Sequence, residues 1–102
     1  MQRGVNAGPW ATTPALALLG ATPSPSRGPL VCEFSLPDGA PALLALYDLA
    51  GRRLWNTEVG GLGAGRHQVI VPVVARLSPG IYLLHLTRGE VSVTRRVMRL
   101  SN

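Results

Sequence analysis

The sequence has no lysine, one cysteine, one phenylalanine and five carboxylates, and each shortage excludes something. With Cys32 alone, neither an internal disulfide nor a multi-thiolate metal site is available, so the fold has to stand on apolar packing. All ten basic side chains are arginines, and the net charge of +5 is scattered along the chain. A nucleic-acid surface would gather that charge into a patch or stripe, so no nucleic-acid partner is expected. Long apolar runs are also missing: nothing approaches the roughly 20 residues with which a helix crosses a bilayer. No segment carries a convincing helical period.

Catalytic chemistry is equally thin. The two histidines, five carboxylates and one thiol are dispersed over different segments. Cys32 and His67 offer one nucleophile–base combination, but Cys32 falls on an inward alternation, where a thiol behaves as a small hydrophobe. A metal site built from Glu33, Asp48, His67 and His85 would need ligands from both faces of its strands. The stretch "GGLGAG" has the glycines of a phosphate-cradling loop, yet lacks the preceding parallel strand and the following helix. The expectation is a protein that is not an enzyme and uses no cofactor or metal.

Proline, by contrast, is plentiful and placed early: five of nine lie among the first 29 residues. Residues 1–14 therefore read as a Pro/Gly-rich linker, and 15–102 as one small domain. Arg3 followed by the apolar run Ala15 to Leu19 imitates a signal peptide weakly; with Pro14 interrupting it, a first strand over Leu16 to Gly20 is the better reading. From Leu30 onward apolar residues recur with period two in short runs between turn residues. The predicted strands are Leu30 to Leu36, Ala42 to Leu49, Arg52 to Glu58, Arg66 to Pro72, Gly80 to Thr87 and a final strand after Arg88-Gly89. Inward rows contain Leu30, Cys32, Phe34 and Leu36, then Leu44 and Leu46, Leu54, His67 with Val69 and Val71, and Tyr82 with Leu84 and Leu86. Gly60 to Gly65 reads as a flexible loop, and His85 as outward-facing. Seven short strands predict an all-β, antiparallel Greek-key sandwich of the Ig-like or fibronectin type III-like kind.

The ordered series "TPSPSRGP", "CEFSLPDGAPALLALYDLAGRRL", "GLGAGRH", "LSPGIYLLHL" and "VTRRVMRL" resembles the bacterial C-terminal sorting domain of type IX secretion cargo, type A. That family is similar to the Ig-like domain of the flagellar hook-capping protein. The resemblance covers about residues 16–100. Its features fall on Ser35 to Pro37, Tyr47 to Arg52, Ala64 to His67, Gly80 to Tyr82 and Arg95-Arg96. Ser24-Pro25 stands where the family has Asn-Pro, and arginine replaces the lysine common near the end.

The resemblance implies a non-catalytic sorting module. It would direct a larger exported protein through the type IX machinery to the cell surface or the medium. Its partners would be the outer-membrane secretion machinery and the N-terminal cargo domain of the parent protein. Gly51, Arg52, Gly65, His67, Gly80 and Tyr82 become fold-signature positions, with Tyr82 resembling the tyrosine corner of sandwich domains. Arg95, Arg96 and Arg99 become candidates for partner recognition on the final strand, or else charges that keep this strand from pairing with another chain. Two other classes stay open: a structural assembly module, and an adhesive or carbohydrate-binding sandwich using Tyr47 and Trp55.

Overall fold

The alternation in Leu30–Leu36 and in Gly80–Arg88 builds the centres of two facing sheets in the computed structural model, which describes residues 15–22, 30–72 and 77–100. The expected linker 1–14 and the Ser24-Pro25 pair lie outside the described residues. The strands are β1 (Ala17–Thr22), β2 (Leu30–Leu36), β3 (Leu43–Tyr47), β4 (Arg53–Glu58), β5 (Gly65–Val71), β6 (Gly80–Arg88) and β7 (Val91–Arg99). They form an antiparallel sheet of three, in the order β1-β2-β5, and one of four, in the order β4-β3-β6-β7. The connections from β2 to β3, from β4 to β5 and from β5 to β6 each pass from one sheet to the other.

Between the sheets lie Leu30, Cys32, Phe34 and Leu36 of β2, Leu44 and Leu46 of β3, Leu84 and Leu86 of β6, and Val71 of β5, all fully buried. Burying each large apolar side chain contributes about 1.5–3 kcal/mol, which is how a domain with one unpaired cysteine holds together. Leu18 and Val97, from edge strands β1 and β7, close the core at one side.

Several boundaries differ from the sequence expectation for local reasons. β1 runs to Thr22, with a register shift between Leu18 and Gly20 that leaves Leu19 as an extra residue. β3 ends at Tyr47 instead of Leu49 because Asp48 begins a tight turn closed by Asp48 N–H to Arg52 O, 3.0 Å, and Gly51 N–H to Asp48 O, 3.1 Å. Gly51 supports that turn at φ 89°, a conformation other L-residues resist.

The glycine-rich stretch is not simply a flexible loop: Gly60–Leu62 forms a 3-10 turn. Gly60 is buried there, and a Cβ on it would lie 2.2 Å from Ala40 O, so only glycine lets the two backbones approach. Glu58 secures the same junction by accepting from Ala42 N–H at 2.9 Å and from Gly60 N–H.

A second register shift, between Leu46 and Tyr47, changes the reading of β4. Trp55 lies opposite Leu46 and packs against the core, while Tyr47 pairs with Arg53. Simple alternation from Leu54 expects Trp55 outside. The extra residue in β4 turns it inward, and Leu54 lines a cleft with Leu77 and Tyr82.

Candidate recognition surface

Three turns are closed by side-chain hydrogen bonds, and each coincides with a motif singled out in the sequence. In the β3–β4 hairpin the Asp48 carboxylate accepts from Ala50 N–H and Arg52 N–H, both at 2.9 Å, and from Arg52 Nε at 2.7 Å. The Arg52 amide first, and then its guanidinium, hold the Asp48 carboxyl below its ordinary pKa against the opposing effect of desolvation. The fold-signature residues Gly51 and Arg52 thus work through Asp48, which lies within the same Tyr47 to Arg52 motif. Its signal was present in the spacing Asp-x-x-Gly-Arg, because a short carboxylate can bond amides two to four residues on.

At the mouth of β5, which Gly65 opens, His67 Nε2 lies 2.8 Å from Gly63 O. A carbonyl only accepts, so Nε2 carries the proton. The ring also sits 5.7 Å from Phe34, tying the loop to the core. At the start of β6, opened by Gly80, the Tyr82 hydroxyl donates to Ser78 O at 2.6 Å, back across the turn.

A fourth connection is an ion pair that the sequence did not announce. Arg88, at the end of β6, binds Asp38 in the β2–β3 crossover through Nε at 2.8 Å and through a second guanidinium nitrogen. This bonding, followed by the Ala40 amide, lowers the Asp38 pKa.

The arginines of β7 do not share a surface. Val97 is buried and Val93 half-buried, so the core side of the strand is the row Val91, Val93, Arg95, Val97, Arg99. Arg96 lies on the opposite side with Ser92, Thr94 and Met98. Arg99 is only 7% exposed, and its guanidinium donates to Leu100 O. The two-residue period itself divides these three arginines between the two sides of the strand.

Arg95 crosses between the sheets. Its Nε donates to Leu18 O at 2.9 Å and a terminal nitrogen to Leu19 O at 3.3 Å. Both carbonyls belong to the irregular point of β1, where the ladder with β2 shifts register. Arg96 is exposed and sits beside Ile81 and Met98 over a shallow depression.

Of the residues considered for catalysis, Cys32 is buried, and desolvation pushes its thiol pKa up to about 12, so it is a poor thiolate source. Among the described residues no group of three His, Cys, Asp or Glu is placed to hold a metal ion, and no helix is long and apolar enough to cross a membrane. The pair considered for a carbohydrate platform is divided: Trp55 faces the core, while Tyr47 faces outward against His85, ring centroids 5.8 Å apart. No protein-family model matches the chain, and no curated protein sequence matches it.

Proposed function

We propose that this chain is a non-enzymatic recognition module. In this reading it is the sorting domain of a larger exported bacterial protein, carried by the type IX secretion machinery to the cell surface or medium. The order β1-β2-β5 facing β4-β3-β6-β7 supports reading the sandwich as a fibronectin type III-like Greek key. The Tyr82–Ser78 bond supports the same reading, since sandwich domains of this kind carry such a tyrosine at the corner before their penultimate strand.

The observation that carries the functional part is the position of β7. It is an edge strand whose outer row offers Arg96 and Met98, the latter 42% exposed, while Arg95 and Arg99 are engaged by the fold. Of the basic residues that the resemblance singles out, Arg96 is therefore the one available to a machine that reads the last strand.

The test fuses the chain behind a reporter in a bacterium with type IX secretion and compares the parent with Arg96→Gln. Exposed charges rarely contribute more than about 0.5 kcal/mol, so the variant keeps its fold while reporter in the medium drops. Full export by a folded Arg96→Gln variant removes Arg96 from recognition.

A further inference from the structure

The two sheets present different outer faces. On the three-stranded sheet Glu33 and Arg66 neutralise each other at 2.8 Å. On the four-stranded sheet the outward residues of the two central strands are mostly apolar, with Leu43 and Tyr47 from β3 and Ile81 and Leu83 from β6 half-buried and Ala45 buried between. One row crosses all four strands in register: Arg53, Tyr47, Leu83, Arg96. Both ends of that row are exposed arginines on edge strands. Three strand spacings of about 4.8 Å put their backbones roughly 14 Å apart. Local carboxylates are taken: Glu58 is turned onto the Ala42 and Gly60 amides, and Asp48 is bonded to Arg52. A cleft of about 400 Å³ lies over this floor, lined in part by Tyr47, Leu83, His85 and Thr94.

We infer that this face is a docking trough for an acidic amphipathic helix of another protein. The helix lies along β3 and β6, its apolar stripe on Tyr47 and Leu83 and its flanking carboxylates on Arg53 and Arg96. A helix with its side chains is about 10–12 Å across, which fits between cationic banks roughly 14 Å apart. Charge selects the occupant, since a chain of net charge +5 repels a second copy of itself. Half-buried side chains leave little apolar surface to insert into an acyl layer, so an anionic membrane fits this face less well. The apolar floor supplies affinity, and the two arginines supply orientation and speed of encounter. This surface shares Arg96 with the export reading but is tested apart from it, because binding in solution decides it without any secretion machine.

The probe is a synthetic peptide of about 18 residues, leucines along one helical stripe and glutamates on both flanks, with a twin carrying lysine for glutamate. It is titrated into the isotope-labelled full chain, and amide shifts are followed by NMR. The amides of Tyr47, Leu83 and His85 shift with the glutamate peptide, which binds about tenfold tighter than its lysine twin. The double variant Arg53→Gln/Arg96→Gln loses about tenfold in affinity, while Arg66→Gln, on the other sheet, binds as the parent does. Four results overturn the inference: equal binding of the two peptides, shifts confined to the three-stranded sheet, no shifts at about 1 mM peptide, or shifts of these amides with phosphatidylserine vesicles in place of the peptide. The comparison of the two peptides needs no variant, so a misfolded double variant leaves the test intact.

Discussion

Arg95 of β7 donates to the carbonyl of Leu18 of β1 across 77 residues of chain, joining the edge strands of the two sheets at 2.9 Å. The bond meets β1 where its ladder with β2 slips, so the arginine supplies donors beside an irregular stretch of backbone. Arg95→Met keeps the aliphatic stem and removes the donors. It is expected to cost about 1–2 kcal/mol in denaturant unfolding, whereas Arg96→Met costs less than about 0.5. Equal costs for the two neighbours would show that the clamp contributes nothing.

Phe34 is the chain's one phenylalanine, fully buried on the central strand of the three-stranded sheet and in contact with the His67 ring. Phe34→Ala leaves a cavity between the sheets and should lower stability by about 3–5 kcal/mol. Chemical melts giving a loss under about 1 kcal/mol would place the packing centre elsewhere.

Gly60 and Gly61 are adjacent but differ in surroundings. A Cβ on Gly60 meets Ala40 O, Ala42 N and Pro41 Cα within 3 Å, while one on Gly61 meets nothing within 4 Å. Gly60→Ala is expected to cost about 2–3 kcal/mol and Gly61→Ala under about 0.5, by thermal or denaturant midpoint. Similar midpoints for both would mean that the junction of Ala40–Ala42 with Gly60 is loose.

Asp48 and Asp38 both have pKa values lowered by their arginine and amide partners. A folded-state pKa below the unfolded one contributes stability that is fully present above the ordinary carboxyl value, about 3.9, and is lost as pH falls through the folded value. The unfolding midpoint should therefore fall on acidification below about pH 4. In Asp48→Asn that fall should be shallower; an identical acid limb in parent and variant would exclude Asp48 from the pH dependence.

The regular part of this fold was legible because alternation is a direct consequence of the strand backbone: Leu30, Cys32, Phe34 and Leu36 are all buried, as their spacing requires. What escaped were places where one residue breaks that period. The shift in β4 turned Trp55 inward, and the slip in β1 created the carbonyl site that Arg95 fills. Neither depends on a local composition signal. Arg95 and Arg96 looked equivalent as a charged pair, yet neighbours in a strand face opposite ways, and only the position of β1 decides which of them is used by the fold. Asp38 and Arg88 lie 50 residues apart, a separation at which single-sequence patterning is silent.

As proposed above, this chain would act as an export signal read by a type IX machine. The most direct measurement is the fraction of a periplasmic reporter reaching the medium when the full chain is fused behind it, in a host with a working type IX translocon and in one lacking it. Release is expected only when both the chain and the translocon are present. Reporter retained inside the working host, or released equally from both hosts, would contradict it.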